Sequence, residues 1–479
     1  MPNYKVAIIG GGISGLACAH RLLELKEENR TDLEIFLFEG STRLGGTIET
    51  EVRDGFVLEK GPDSFISEKP FAVLLSNRLG IDGQIIGTRN ENRKSFVLRN
   101  GKLIPVPQGF YLIAPTDIKG FLGTPLFSFP GKIRMMLEPF ISKRDGDADE
   151  SVGSFIRRRL GKECLERVAQ AMLAGIYTGD PDKLSLKCTI PKFLELENKY
   201  GSVIRGLMQE RKKKKESLMG ASGPRYSLFL SYKNGMEILT RAIIKRLSGI
   251  SIRLNSKIKE ITYDRLDSQW KIFLSSGEIR SMNAVILALP AYAAADILGK
   301  MEPDVSSKLK EIPYESVATL NLAYKKEGIR HALDGFGFVV PAIKKNPFVA
   351  VSFSSQKFEN RAPSDFVLLR AFIGGAFGRD FWEMEDAELK NLVKAKLSEI
   401  LGISNGPLFS VLSRYPKSMI QYPLGHLESI ALIKDQMGKH SGLCCIGPAF
   451  GAVGIPDCIK EAEENAKNVF NKFFGKDKL

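Results

Sequence analysis

Histidine is scarce in this chain: four among 479 residues (His20, His331, His426, His440), all far apart. A metal centre built on imidazole is therefore not expected. The six cysteines (Cys18, Cys164, Cys188, Cys444, Cys445, Cys458) show no paired metal spacing. Cys18 falls in the first predicted helix, which points to reduced thiols in a reducing compartment. No apolar stretch has the length of a membrane span; the most apolar run, Ala284–Ala295, is short and contains Pro290. No leader-like segment precedes the first predicted strand near residue 4, so the expected location is cytoplasmic, with a peripheral position on the inner face of the cell membrane left open. A base-reading motif and an aromatic-studded basic platform are also missing. Nucleic acid is therefore not an expected partner, although the formal charge is +14 and the pI about 9.3. That charge favours an anionic small molecule or an anionic membrane surface.

At 43% hydrophobic residues, the chain has enough apolar material for two or three cores. Its organising stretch is YKVAIIGGGISG, Tyr4–Gly15. The run Val6–Ile9 suits a strand buried on both faces of a parallel sheet. Gly10, Gly12 and Gly15 then give G-x-G-x-x-G, with Gly11, Ile13 and Ser14 between them. Gly10 permits the turn, Gly12 admits a pyrophosphate to the backbone, and Gly15 lets helix and strand approach. Apolar residues at helical spacing follow from Leu16 to Leu23, so a positive helix end faces the phosphates. A second strand, Glu34–Phe38, ends at Glu39, an acid placed for a ribose hydroxyl pair. After Gly40 comes Arg43, then Gly45, Gly46 and Thr47, a glycine pair that removes Cβ atoms where a large ligand would lie against backbone. This resembles the extended fingerprint of FAD-containing oxidases and desaturases, which selects FAD over NAD.

Further along, FVLEKGPDS runs from a short strand into the loop Gly61, Pro62, Asp63 and Ser64, whose amides could face a ligand. A helix is expected over 71–81, closed by Gly80, and a hairpin around Asn100-Gly101. Residues 107–140 crowd aromatic and aliphatic side chains between prolines and lysines. Three readings stand here: a basic-edged surface on anionic lipid, a lid over an apolar substrate, or an ordinary helical core. Helices are expected over Ser154–Leu173 and Phe193–Met208, ended by Arg211–Lys215 (RKKKK), read as a solvated loop or as a lipid contact. Short strands follow at 252–254, 258–262, 270–274 and 284–288. Extended segments between 316 and 373, a helix at 386–401 and a strand at 409–414 suggest an antiparallel sheet closing over the cofactor. Leu443–Ile446 then leads through GPAFGAVGIPD into a last helix with Pro456 in its first turn. Its positive end would stabilise negative charge on a reduced flavin ring.

The expected fold is α/β: a Rossmann-like FAD domain, an antiparallel-sheet substrate domain and a helical insertion. The FAD domain is expected at 1–80, 218–300 and 425–479, the substrate domain at 81–106 and 301–424, and the insertion at 107–217.

Motifs spread almost end to end carry a specific resemblance: GGGISG, RLGG, EKGPDSF, GIYTGDPDKLSL (175–186), YKNG, GFGFVVP, RAP, QYPLGH and VGIPDCI (453–459). Together they resemble the bacterial FAD-dependent porphyrinogen oxidases of haem biosynthesis, the protoporphyrinogen and coproporphyrinogen oxidase family. The family implies a six-electron oxidation of a reduced tetrapyrrole, with hydride leaving a carbon bridge for flavin N5 and dioxygen as final acceptor. It implies no dedicated acid–base residue, because the cofactor carries the difficult chemistry. It also implies that Ile258 meets the adenine side, that Val453, Gly454 and Ile455 meet the isoalloxazine, and that Gly175 leaves room for the macrocycle beside Ile176 and Tyr177. Tyr415 stands where relatives commonly carry tryptophan, as a cofactor neighbour or as plain core. Lys69 matches a basic position facing a substrate carboxylate, or is a solvated lysine. His426 matches a recurring family position, or is structural. GPAF at 447–450 departs from the pattern, since many relatives have a polar residue after that glycine. An amine oxidase or carotenoid desaturase of the same fold is the alternative activity, although no pair of aromatic residues facing a flavin is evident. A flavin-binding module without turnover is the alternative from another class. The choice between the two porphyrinogens, and the oligomeric state, are open at this level.

Overall fold

The computed structural model describes residues 4–107, 109–217, 227–343 and 345–475, without the side chains of 213–217. Its first layer is a five-stranded parallel sheet in the order Ser251–Arg253, Leu33–Phe38, Tyr4–Ile9, Ala284–Leu287, Leu443–Cys445. Tyr4–Ile9 lies at the centre, and its last four residues are buried, as an unbroken apolar run in a two-sided sheet requires. The helices Ile13–Asn29 and Ile455–Phe474 cover one face of this sheet. Leu16, Leu22, Ile459, Ala462 and Ala466 belong to one apolar cluster there.

The second sheet has seven strands, in the order Phe409–Ile420, Tyr314–Lys325, Phe366–Gly374, Ala350–Phe353, Gly337–Val339, Phe96–Arg99, Lys102–Pro105. All its pairings are antiparallel except Gly337–Val339 with Phe96–Arg99. The expected hairpin is present, with Asn100 and Gly101 both at positive φ. Helix Asp386–Leu401 packs on this sheet through Leu389, Val393 and Leu397. The mixed α/β class with one parallel and one antiparallel sheet is thus the observed one.

Between Ile118 and Ser217 the chain is helical, and here three expectations are corrected. The helix expected over Ser154–Leu173 is interrupted: Val152–Leu160 ends at Gly161, whose φ of 93° no helix continues, and a wider turn at Leu165–Ala169 precedes Gln170–Tyr177. The helix expected over Phe193–Met208 is two, Pro191–Tyr200 and Val203–Ser217, parted by left-handed Gly201. The basic run Arg211–Lys215 is not a loop, because the backbone of that second helix carries through it to Ser217. The expected boundary at 217/218 borders residues outside the described ones.

Glu138 joins these pieces. Completely buried, it accepts Arg159 Nε at 2.7 Å and the amides of Val203 and Ile204 at 2.9 and 3.2 Å, capping the second helix. Arg159, equally buried, also donates to the Gly201 carbonyl at 3.0 Å.

Candidate functional site

The glycine motif shows three distinct geometries. Gly10 has φ 110° and donates to the Phe38 carbonyl at 2.8 Å, turning the chain out of its strand. A Cβ on Gly15 would land on the Gly10 carbonyl oxygen, so this glycine sets the helix-to-strand spacing. A Cβ on Gly12 would meet nothing within 4 Å. The space above Gly12 is open, at the N-cap of helix Ile13–Asn29 where the amides of Ile13 and Ser14 begin the helix.

Glu39 closes one side of that opening. Its carboxylate accepts the Gly11 amide at 2.7 Å and the Ser41 amide at 2.8 Å. The neighbouring crossover is fixed by Ser256 N–H donating to the Glu39 carbonyl at 2.8 Å, and Asn255 N–H to the Ser41 carbonyl at 3.0 Å. This brings Ile258, buried at the start of strand Ile258–Asp264, to the same side of the sheet. Gly45 and Gly46 have φ of 107° and 59°, and a Cβ on Gly46 would stand 3.1 Å from Gly12 Cα. Arg43 braces this loop by donating to the carbonyls of Leu44 and Ile48 at 3.3 Å and to Glu49 at 3.0 Å.

The Gly61–Ser64 loop is held from the second sheet. Thr319 Oγ1 and Arg370 Nη2 donate to the Lys60 carbonyl at 2.8 and 3.1 Å, Arg370 also to that of Gly61, and Asn321 Nδ2 to that of Glu59 at 3.0 Å. A Cβ on Gly61 would fall on the Thr47 carbonyl, so the two loops are in contact. Asp63 accepts Lys357 Nζ at 2.9 Å and Ser64 Oγ at 2.7 Å. Burial alone would push this carboxyl up, but Lys357 and Arg370 beside it hold it well below the usual carboxylate range. Glu59 goes the other way: burial raises it to about 7, against the opposing pull of Arg361 at 3.8 Å and the hydrogen bonds from Thr50 Oγ1 and the Met236 amide. None of these cross-sheet struts has a local sequence signal. Lys357, Arg370, Thr319 and Asn321 are far along the chain from residues 59–64, and RAP at 361–363 is the motif nearest to them.

Tyr415 lies opposite Val317 in the second sheet. Its hydroxyl is buried with no hydrogen-bond partner, near Glu49, Arg370, Arg43 and Lys60. The other end of the site is the helix Ile455–Phe474, whose N-cap Gly454 has φ 92°. Val453 packs on the core behind the sheet, and Ile455 on the core shared with helix Ile13–Asn29. In the first turn Asp457 is in direct ion-pair contact with Lys69. Lys69 is thus ion-paired, with 41% of its side chain exposed. Tyr177 is pushed up to about 12 by burial, with Asp457 and Cys188 adding to the effect. Its hydroxyl donates to the Thr189 carbonyl at 2.5 Å, and its own carbonyl accepts Gln421 Nε2 at 3.0 Å. Gly175, two residues earlier, lies beside Val339 and Ala350 of the second sheet, where a Cβ would find ordinary contacts at 3.9 and 4.0 Å. Ile176 is exposed. His426, buried at a helix start, faces the Ala449 carbonyl at 3.1 Å through Nε2, a position that ties the GPAF turn to the fold. Among the described residues, no cluster of three or more His, Cys, Asp or Glu could hold a metal ion.

A dinucleotide opening with two glycine-led helix ends converging on it defines a flavin-dependent oxidoreductase. The family model described as flavin containing amine oxidoreductase matches residues 13–470, and the chain belongs to that family. Within it, the chain is similar to the coproporphyrinogen III oxidase of Bacillus subtilis (strain 168), at 32% identity over 471 residues and 98% of both chains. It is 30% identical to the chloroplastic protoporphyrinogen oxidase of Oryza sativa subsp. japonica, covering 96% of this chain and 87% of that one. A crystal structure from Exiguobacterium sp. 255-15, described only provisionally as a protoporphyrinogen oxidase, superposes with a TM-score of 0.85 at 28% identity, over 98% and 99% of the two chains. Putrescine oxidase shares the fold, with a TM-score of 0.69 at 16% identity.

The cofactor is FAD, and the residues present fit it. The open face of Gly12 and the adjoining helix end suit a pyrophosphate, Glu39 suits a ribose, and the N-terminus of Ile455–Phe474 suits the ring edge that gains negative charge on reduction. No helix among the described residues is long and apolar enough to cross a membrane.

Proposed function

We propose that the chain oxidises coproporphyrinogen III to coproporphyrin III in haem biosynthesis, using dioxygen as acceptor. The observation that carries this reading is similarity to coproporphyrinogen III oxidases over 98% of this chain, the helical insertion and second sheet included. A second reading, protoporphyrinogen IX, has the chloroplastic relatives in its favour. We assign the division of labour along the expected boundaries. Residues 1–80, 218–300 and 425–479 hold FAD, residues 81–106 and 301–424 roof it, and residues 107–217 complete the substrate cavity.

When bound, FAD would supply hydride acceptance from a carbon bridge of the tetrapyrrole and reoxidation by dioxygen to peroxide, with the pyrrole N–H protons leaving to solvent. The chain's part is to bind, orient and exclude. The amides following Gly12 and the Glu39 carboxylate hold the adenosine diphosphate end, with Arg43, Gly45, Gly46 and Thr47 closing the loop beside it. Val453, Gly454 and Ile455 sit against the ring. Gly175, Ile176 and Tyr177 form a wall of the macrocycle site, and Lys69 meets a propionate after parting from Asp457. No side chain is given an acid–base task. The Tyr177 hydroxyl is already committed to the Thr189 carbonyl, and Asp457 is ion-paired. Peripheral contact with the anionic inner face of the cell membrane belongs to this reading, supported by the net charge of +14 and the greasy, basic-edged stretch 107–140.

Side-by-side oxygen uptake and porphyrin fluorescence with each porphyrinogen test the assignment. Coproporphyrinogen III should give the higher kcat/KM. Turnover of putrescine or another amine, with neither macrocycle becoming fluorescent, would overturn it.

A further inference from the structure

The segment after strand Phe56–Glu59 is held at two points by lysine–aspartate pairs. At one, Lys69 meets Asp457 in the first turn of Ile455–Phe474, on the side of the parallel sheet. At the other, on the side of the second sheet, Asp63 accepts Lys357 Nζ at 2.9 Å. Lys357 ends the short helix Ser354–Lys357, which follows directly on strand Ala350–Phe353. That strand places Ala350 beside Gly175, the proposed wall of the macrocycle site. Asp63 and Lys69 are six residues apart. Their Cα atoms are therefore separated by at most about 20 Å, so one tetrapyrrole with its side chains can reach both pairs.

Three cations gather at the second pair, and two of them are committed. Arg361 and Arg370 are buried. Arg361 donates to Ser231 Oγ and to the Tyr232 and Lys233 carbonyls, all at 2.9 Å, and Arg370 donates to the Lys60 carbonyl at 3.1 Å. Lys357 differs, because 14% of its side chain stays exposed. Its ammonium has three protons. Asp63 takes one, Ser64 Oγ stands at 3.4 Å for another, and among the described residues no further hydrogen bond holds the third. The Phe229 and Phe358 rings lie 5.3 and 5.1 Å from the ammonium. Only two carboxylates, Asp63 and Glu59, oppose these cations, and burial raises Glu59 to about 7. The corner thus has surplus positive charge and one cation with an unused donor.

We propose that Lys357 binds a second carboxylate of the substrate, on the edge of the macrocycle away from Lys69, and so selects coproporphyrinogen III over protoporphyrinogen IX. The proposal rests on the substrate reading above and names the residue that discriminates. Coproporphyrinogen III carries propionates on both edges, whereas protoporphyrinogen IX has vinyls in place of the two on one edge. With the shared propionates at Lys69, the tetracarboxylate alone offers an anion to Lys357. A vinyl there would leave the largely buried ammonium with its third proton unmatched. Asp63 stays in place and fixes the direction of the lysine, while the arginines behind it supply the surplus charge. A plain structural tie is a weaker account, because Thr319, Asn321 and Arg370 already join this segment to the second sheet.

The test compares the FAD-loaded full chain with Lys357→Met, Lys357→Arg and the pair Lys357→Met/Asp63→Asn, which leaves no carboxylate unpaired. Lys396→Met, on the helix that covers the opposite face of the second sheet, is the control. The measurements are kcat and KM with each porphyrinogen, and the Kd of coproporphyrin III from quenching of its fluorescence. Flavin absorbance and thermal unfolding report cofactor content and folding. Lys357→Met should raise KM for coproporphyrinogen III, and the Kd of coproporphyrin III, roughly tenfold to a hundredfold with kcat little changed. KM for protoporphyrinogen IX should move far less, and Lys357→Arg should recover most of the loss. A rise of equal size for both porphyrinogens in both methionine variants, or loss of flavin and of thermal stability without the split, makes Lys357 a structural tie and overturns the proposal. Wild-type KM and Kd with coproporphyrinogen III and coproporphyrin III in those variants overturns the role of Lys357 and leaves the substrate reading standing. Wild type that turns over neither porphyrinogen overturns both.

Discussion

Two glycines three residues apart, Gly12 and Gly15, should respond to the same substitution in opposite ways. Gly12 has φ −73°, which alanine adopts freely, and a Cβ there meets nothing within 4 Å. Gly12→Ala therefore should change the stability of the cofactor-free protein by at most about 1 kcal/mol, the range for alanine replacing glycine at an N-cap. The added methyl would occupy the space required by the pyrophosphate, so FAD affinity should fall about 10- to 100-fold, or about 1.4–2.8 kcal/mol. Gly15→Ala inverts this pattern. Its Cβ would coincide with the Gly10 carbonyl, which is backbone and cannot rotate away, so helix Ile13–Asn29 must lift off the central strand. Overpacking of this kind costs about 1–3 kcal/mol. The assay is urea unfolding of both apoproteins, paired with FAD titration followed by flavin fluorescence. Gly15→Ala should lower the unfolding midpoint, and Gly12→Ala should lower affinity with little change in midpoint. Wild-type FAD affinity in Gly12→Ala would refute the assignment of the open space, and an unchanged midpoint in Gly15→Ala would refute the close-packing argument.

Removing Glu138 should be among the costliest single changes in the insertion. Glu138→Ala leaves the Arg159 guanidinium buried and unpaired and uncaps Val203–Ser217, an expected loss of about 3–5 kcal/mol in chemical denaturation. Lys69→Met should raise KM for coproporphyrinogen III about tenfold with kcat little changed, whereas Asp457→Asn, which releases Lys69 from its partner, should leave KM equal or lower. A rise in KM of equal size in both variants would assign the pair a structural role. Glu59, held at about 7 in the folded chain, binds a proton more tightly folded than unfolded, so its contribution to stability is lost as pH rises from its unfolded value towards 7. Glu59→Gln should accordingly flatten the stability profile between about pH 5 and pH 7, where the wild type falls by at most about 1.4 kcal/mol per pH unit from this group. Parallel profiles for the two proteins would count against that placement of Glu59.

The parts legible from sequence are those whose reasons are local. Val6–Ile9, the three glycines and Glu39 specify strand, turn, helix and acid within one crossover, and the folded chain presents them in that arrangement. Pro456 after Gly454 announced the last helix in the same way. The breaks at Gly161 and Gly201 were hidden because apolar spacing resumes on the far side of each glycine, so periodicity alone reads through the interruption. The Arg211–Lys215 run looked like a loop because clustered like charge resembles solvated coil, yet lysine and arginine are good helix formers. Lys69 with Asp457, and Arg370 with the Lys60 and Gly61 carbonyls, join residues hundreds of positions apart. No spacing rule reaches that far: the packing of helix Phe71–Leu79 on Ile455–Phe474 joins the first pair, and the approach of the second sheet to the Gly61 loop joins the others.

The parallel sheet draws its strands from residues 4–9, 33–38, 251–253, 284–287 and 443–445. A nascent polypeptide thus displays its phosphate-binding turn more than four hundred residues before the helix proposed to face the ring. Until Leu443–Cys445 docks beside Ala284–Leu287, the edge of that sheet is unpaired and the ring end of the cofactor lacks the helix proposed to receive it. Tight coenzyme capture consequently awaits both ends of this crossover set, and a ribosome-stalled fragment ending before residue 443 should hold FAD more weakly than the chain carrying Leu443–Phe474.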